Sequence, residues 1–101
     1  MATPGFLKPF LIRRVRGRGM APKLRPGQLI IATPMLGKLH PGEVIIIERD
    51  NKELIKRIER VEADKLFVIG DNLAASTDSR QFCWLDRSHV VAKVFRPKLA
   101  K

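Results

Sequence analysis

Two stretches of the chain carry residue types that could perform chemistry together. The first is a glycine-rich basic loop, VRGRGMAPKLRPG, at residues 15–27. The second begins at Lys56-Arg57 and continues with Gly70-Asp71-Asn72 and with STDSR at residues 76–80. Lysine has an ordinary pKa of about 10.4, and burial among apolar groups lowers it because desolvation penalises the ammonium. A buried Lys56 would therefore be a neutral amine able to take the proton of an alcohol.

The segment that carries Lys56, residues 53–62, fits two structures. Leu54, Ile58 and Val61 have helical spacing, and Asp50-x-x-Glu53 resembles a capping box, so both patterns favour a helix. In a strand, one face carries Lys56 between Leu54 and Ile58, while Arg57 points the opposite way with Ile55, Glu59 and Val61. The strand gives Lys56 the apolar flanks that a lowered pKa requires.

The remaining elements are predicted from β-branched runs separated by proline and glycine. Five runs have strand length, at residues 11–15, 28–33, 43–48, 65–69 and 90–95. Pro26-Gly27 and Pro41-Gly42 mark tight turns that lead into two of them. This pattern predicts a mostly-β domain.

Length and composition limit the classes of protein. A chain of 101 residues with 45% hydrophobic residues fits one globular domain. No apolar run approaches the roughly 20 residues that span a bilayer. The single cysteine, Cys83, excludes an internal disulfide and is expected to be a buried, inert thiol between Phe82 and Trp84. His40 and His89 are expected to be surface or core residues, so neither a metal nor a cofactor is predicted.

The formal net charge is +10, and its distribution is uneven. Eight basic residues precede the first acidic residue, Glu43: Lys8, Arg13, Arg14, Arg16, Arg18, Lys23, Arg25 and Lys38. Such a patch could attract phosphate, anionic lipid or an acidic polypeptide, or it could be a solvated basic face. The absence of zinc-ligand spacing, a helix-turn-helix pattern or an RNA-recognition aromatic pattern disfavours a nucleic-acid partner.

Together, the two motifs resemble the serine–lysine peptidases of the type I signal peptidase family. In that family the first motif reads Gly-x-Ser-Met-x-Pro with the serine as nucleophile, and here Gly19 occupies the serine position. The second motif matches throughout: Gly-Asp-Asn, a short spacer, Ser, one residue, Asp, one residue, Arg. The resemblance covers residues 15–94 and is greatest to the small, soluble branch of nickel-type superoxide dismutase maturation proteases.

The resemblance implies a role for each motif residue. Gly19 stands at the nucleophile position and supplies a backbone N–H to the oxyanion hole, and Lys56 is the general base. Ser76 orients the lysine amine, and Asp78 and Arg80 form a supporting ion pair. The other implied residues are Arg57 as a further partner of that pair, and Gly17, Met20 and Pro22 in the substrate and oxyanion loop. Gly17 is expected to allow a tight backbone approach.

The implied fold is a coiled, mostly-β, barrel-like sheet of the signal peptidase and LexA type, in a single domain. That family places its lysine on a strand, so we predict a strand at residues 53–62. The predicted organisation is a basic N-terminal segment at 1–14, the peptidase-like domain at 15–96 and a C-terminal tail at 97–101.

The implied function is removal of a leader peptide from a precursor protein, with the nickel superoxide dismutase precursor as the implied substrate. A cytoplasmic location without a transmembrane segment or a cofactor is expected, and membrane contact through residues 6–12 is an alternative. Without a hydroxyl at Gly19 the chain is expected to be inactive.

Three explanations of Gly19 remain open. It can be an engineered inactivation, it can define a natural pseudoprotease that still binds peptide, or Ser76, Ser79 or a water can have taken over the role. Two alternatives to the peptidase are a pure peptide-binding module and a basic nucleic-acid-binding β-domain.

Overall fold

The computed structural model describes residues 10–99. Seven strands run in the order β1 Leu11–Arg14, β2 Leu29–Thr33, β3 Val44–Arg49, β4 Lys52–Glu62, β5 Lys65–Ile69, β6 Leu85–Asp86 and β7 Val90–Arg96. One short helix, α1, spans Ser79–Phe82, and two single 3-10 turns span Leu73–Ala75 and Arg87–His89.

All seven strands form one antiparallel sheet in the order β1-β2-β7-β3-β4-β5-β6. The predicted mostly-β class is therefore confirmed, and the sheet is not closed. It curls strongly, because Arg13 of β1 contacts Glu53 of β4 although three strands separate them in the hydrogen-bonded order. This curvature creates the concave face on which the candidate site lies.

The strand predicted at residues 53–62 is confirmed, because β4 spans Lys52–Glu62 despite the helical spacing of its apolar residues. The first half of β4, residues 52–57, pairs with β3, and the second half, residues 57–62, pairs with β5, so the whole length of the strand is held in the sheet. The supposed capping residue Asp50 lies instead in the hairpin turn, where it and Asn51 have φ of 54° and 61°. Positive φ at both central residues is the signature of a two-residue type I′ turn, which fixes the register of the hairpin.

The core is divided between the two faces of β3. Val44 and Ile46 belong to a cluster with Met20, Leu24 and Ile30. Ile45 and Ile47 belong to a second cluster, with Leu39, Ile58, Leu66, Val68 and Leu85. An uninterrupted apolar strand, VIII, is expected where both faces of a sheet are covered.

The ends of the described chain join the sheet more closely than the predicted boundaries suggest. Residues 11–14, assigned from sequence to the basic N-terminal segment, form β1 and pair with β2. Leu99, assigned to the tail, packs against the first core cluster. Residues 6–9 of the stretch considered for membrane contact lie outside the described residues. Within residues 10–99, no helix has the length and apolar character that crossing a membrane requires.

The prediction for Cys83 was wrong, because this thiol is exposed. Cys83 caps the C-terminus of α1 with φ of 65°, and its N–H donates to the carbonyl of Ser79. The short helix ends there, so Cys83 turns outward while Leu85, two residues later, enters the core. Apolar neighbours in sequence gave no indication of this turn.

Candidate active site

Four polar side chains form a continuous hydrogen-bonded row beside the curled sheet. The Lys56 ammonium donates to Ser76 Oγ at 2.7 Å, and that hydroxyl donates to Asp78 Oδ2 at 2.9 Å. Arg80 Nε donates to Asp78 Oδ1 at 2.9 Å. Lys56 comes from β4, whereas the other three residues come from the segment between β5 and the end of α1. The fold thus joins residues that are 20 or more positions apart.

Asp78 is fully buried and holds this segment in place. Burial alone would raise the pKa of its carboxyl, but hydrogen bonds from Arg80, the Gly70 N–H and Ser76 outweigh burial and lower the pKa to about 2. Its side chain also caps α1 in a reciprocal capping box with Gln81. Asp78 is therefore ionised at neutral pH and accepts a hydrogen bond from the Ser76 hydroxyl. A lone pair of Ser76 Oγ is then free to accept a hydrogen bond from Lys56.

Lys56 is only 4% exposed, and it lies directly opposite Ile45 in the β3–β4 ladder. Leu54 and Ile58, two residues away on either side, pack in or against the second core cluster. Desolvation lowers the pKa of Lys56, an effect opposed by the charge of Asp78 and reinforced by that of Arg80. The environment thus favours the neutral amine more than water does.

The Gly-Asp-Asn motif fixes the loop that contains Gly19. The Asn72 N–H donates to the Gly19 carbonyl at 2.8 Å, and its Nδ2 donates to the Arg18 carbonyl at 3.0 Å. The Asp71 N–H contacts Met20 Sδ at 3.4 Å. Met20 is itself buried in the first core cluster. The motif therefore acts as a clamp between the loop and the end of β5.

Gly19 lies at the open end of the polar row. A Cβ built on Gly19 would lie 3.7 Å from Lys56 Nζ, 3.7 Å from Ser76 Cβ and 3.8 Å from the Ala75 carbonyl, all ordinary contacts. Within the described part of the chain, the Gly19 N–H has no hydrogen-bond acceptor. A serine Cβ would therefore fit here without displacing a neighbour, with the hydroxyl one bond beyond that Cβ and a free N–H beside it.

Gly17 lies in open space on the same loop as Gly19. Nothing lies within 4 Å of a Cβ built at Gly17, and its φ is 72°. Glycine is required there because of this left-handed conformation rather than because of crowding. Pro22 is exposed on the same loop, after the buried Met20.

Gly70 has no space for a side chain, and its sequence context indicated no role for it beyond the Gly-Asp-Asn motif. A Cβ on Gly70 would overlap Ser76 and lie 2.6 Å from the Gly19 carbonyl oxygen. The backbone directly after β5 thus approaches both Ser76 and the loop of Gly19 so closely that a side chain at position 70 has no space. The only signal in the sequence was its place at the start of the Gly-Asp-Asn motif.

The resemblance implied that Arg57 is a further partner of the Asp78–Arg80 pair, but Arg57 does not contact that pair. Its guanidinium forms a bidentate pair with Asp71, with both N–O distances 2.8 Å, and donates to the carbonyls of Gly42 and Leu99. Because alternate residues of a strand point to opposite faces, Lys56 and Arg57 diverge from β4. Arg57 therefore ties the clamp to the rest of the sheet from behind the site.

A groove of about 740 Å³ opens in front of Gly19 and Lys56. Its walls come from β1, the loop after it, and the first half of β4. Among the described residues, no three His, Cys, Asp or Glu side chains approach one another closely enough to hold a metal ion. The polar groups that the site brings together are the Lys56 amine, the Ser76 hydroxyl and the Gly19 N–H.

Residues 59–98 match the family model described as Signal peptidase, peptidase S26. The matched segment contains Gly70 to Asn72, Ser76, Asp78 and Arg80, but it begins after Lys56 and does not include Gly19. Peptidase S26 is a serine peptidase family, so this part of the chain is similar to a signal-peptidase-like serine peptidase. No curated protein matches the chain.

Proposed function

We propose that this chain has the scaffold of a signal-peptidase-like serine–lysine endopeptidase, from which the nucleophilic hydroxyl at Gly19 is missing. The observation that carries the proposal is the space at Gly19, where a Cβ would lie 3.7 Å from the Lys56 amine. The lowered pKa of Lys56 and the match over residues 59–98 support the same function.

With serine at position 19, each group has a defined chemical task. Neutral Lys56 takes the hydroxyl proton while the serine oxygen bonds to the scissile carbonyl carbon. The free N–H of residue 19 donates to the oxyanion that forms. The C–N bond then breaks as Lys56 gives its proton to the departing amine. Water attacks the acyl-enzyme ester while Lys56 accepts its proton, and Lys56 returns that proton to the serine oxygen as the ester bond breaks.

As the chain stands, the first bond cannot form. Loss of a nucleophile costs several orders of magnitude in rate. We therefore propose that the Gly19 form binds the leader segment of a precursor without cleaving it. The implied precursor is that of nickel superoxide dismutase, and the proposed site of action is the cytoplasm.

The test compares Gly19→Ser with Gly19→Ser/Lys56→Ala on a panel of precursor leaders that includes the nickel superoxide dismutase leader. Mass spectrometry is expected to show a single internal cleavage by the first variant and none by the second. Equal inactivity of both variants, in folded proteins, would contradict the peptidase proposal. Affinity for a leader without turnover in either variant would indicate a peptide-binding module instead.

A further inference from the structure

We infer that the groove selects extended peptides with acidic side chains next to the bond presented to Gly19. This inference rests on the proposed function, because it takes the groove as the peptide site and specifies its substrate class. The charges on the groove walls indicate this preference.

The groove walls are strongly basic. The charged residues that line the groove are Arg13, Arg14, Arg16, Arg18, Lys52, Lys56 and Glu53. Glu53 is therefore the single carboxylate among the described lining residues. It is already neutralised, since Arg13 Nε donates to its Oε1 at 2.7 Å across the groove.

Three of these cations have no partner in the described part of the chain. The Arg14 side chain donates to the Gly27 carbonyl at 2.7 Å, but the side chains of Arg16, Arg18 and Lys52 make no hydrogen bond or ion pair with another described residue. All three side chains are exposed. Arg18 directly precedes Gly19, and Arg16 lies two residues earlier in the same loop. The positive charge is thus unpaired beside the position where a scissile bond would lie.

The groove fits a peptide better than a nucleic acid. None of its described lining residues is aromatic, whereas single-stranded nucleic acids are usually held by bases stacked on aromatic side chains. Within residues 10–99, β1 lies at an edge of the sheet and pairs with β2 alone, so its other side offers backbone groups to an extended chain. Acidic side chains on such a chain would be attracted to the unpaired arginines.

Binding can be measured with the chain as it is, because the Gly19 form is expected not to turn over. The probe is a fluorescein-labelled 12-residue peptide of Ala, Thr and Val with four Asp residues, and the comparison peptide replaces each Asp by Asn. At low ionic strength we expect about tenfold tighter binding of the Asp peptide, from several exposed charge pairs. The difference should shrink as salt is added, because exposed charges are screened.

A matched pair of variants separates the groove from the overall charge. Arg16→Gln/Arg18→Gln is expected to weaken binding of the Asp peptide about fivefold. Lys38→Gln/Arg60→Gln removes the same two charges away from the groove and should change binding less than about twofold. Equal losses in both variants, equal binding of the Asp and Asn peptides, or no binding of either peptide would overturn the inference.

Two further arms keep this inference distinct from the peptidase proposal. If Gly19→Ser cleaves a peptide library with no preference for acidic flanking residues, the inference fails and the peptidase remains. If the Asp peptide binds through Arg16 and Arg18 but Gly19→Ser cleaves nothing, the peptidase fails and the acidic binding site remains. Tighter, Arg16/Arg18-dependent binding of a 20-nucleotide single-stranded DNA than of the Asp peptide would overturn the inference in favour of a nucleic-acid groove.

Discussion

Lys56 is the residue whose protonation decides what the candidate site can do. Burial lowers its pKa, and Arg80 acts in the same direction, while the charge of Asp78 acts against both. Ser76 separates the amine from Asp78, since its hydroxyl accepts from Lys56 and donates to the carboxylate. The serine thus positions the amine without allowing a direct ion pair that would keep it protonated.

This arrangement predicts the pH dependence of a Gly19→Ser enzyme. The neutral amine is the active form, so activity should fall about tenfold for each pH unit below the pKa of Lys56. Because burial lowers that pKa, the midpoint should lie below the ordinary value of about 10.4. The measurement is kcat/KM against pH on a cleaved leader, with Gly19→Ser/Lys56→Ala as the inactive control. A midpoint at or above the ordinary lysine value would contradict the assignment.

At the scale of elements, the site is an association of three segments. β4 supplies Lys56 from one face, the connection between β5 and α1 supplies Ser76 and Asp78, and the loop after β1 supplies Gly19. Gly70 is the point where the last two segments touch, because its backbone lies against both Ser76 and the Gly19 carbonyl. Contacts between segments, rather than any one of them, therefore set the distances at the site.

Gly70→Ala should disturb the site far more than the size of a methyl group suggests. The added Cβ would overlap Ser76 and press on the Gly19 backbone, and overpacking of this kind costs about 2 kcal/mol. We expect lower stability in urea denaturation, together with loss of activity in the Gly19→Ser background. The control is Ala74→Ser, an exposed conservative change in the same connection that does not line the groove. Unchanged stability and activity of Gly70→Ala would show that the two segments are not in this contact.

Removing one partner of the Arg57–Asp71 pair should lower the free energy of unfolding, because the remaining charge is buried without its counter-ion. Arg57 is 3% exposed, so Asp71→Ala would leave a buried guanidinium without its carboxylate, at a cost of about 3 kcal/mol. Arg57→Met/Asp71→Leu should recover much of that loss, because both charges are then absent. Urea denaturation of the wild type, the single variant and the double variant measures the difference. A double variant no more stable than Asp71→Ala would contradict this account.

At the scale of the whole molecule, β3 joins two apolar clusters that lie on opposite faces of the sheet. Val44 and Ile46 contribute to one, and Ile45 and Ile47 contribute to the other. The loop of Gly19 depends on the first cluster through Met20, and Lys56 lies beside the second through its neighbour Ile58. Since both clusters share a strand, neither half of the site is independent of the other.

Conservative substitutions that leave a small cavity in either cluster should therefore destabilise the same cooperative unit. Ile45→Val and Ile46→Val each remove one methylene from a site that is at most 1% exposed, at about 1 kcal/mol. Both are expected to lower the urea midpoint with an unchanged m-value, in single transitions that coincide by fluorescence and circular dichroism. Two separate transitions in either variant would show that the clusters unfold independently.

The sequence by itself determined the class of fold and the parts of the site. Alternating proline, glycine and β-branched runs predicted five strands close to their observed bounds, because these signals act within a few residues of one another. Resemblance to a family motif singled out Lys56, Ser76, Asp78 and Arg80, and the structure brings all four together.

Only the tertiary structure decided the features that depend on distant segments. Residues 53–62 have helical spacing, yet pairing with β3 and β5 makes them a strand, since sheet context outweighs the small differences in local propensity. The pairing of Arg57 with Asp71 and the exposure of Cys83 after α1 also depend on tertiary contacts. The same holds for Gly70, where Ser76 and the Gly19 carbonyl leave no space for a side chain. Each outcome is fixed by what another part of the chain places beside the residue, and local sequence does not contain that information.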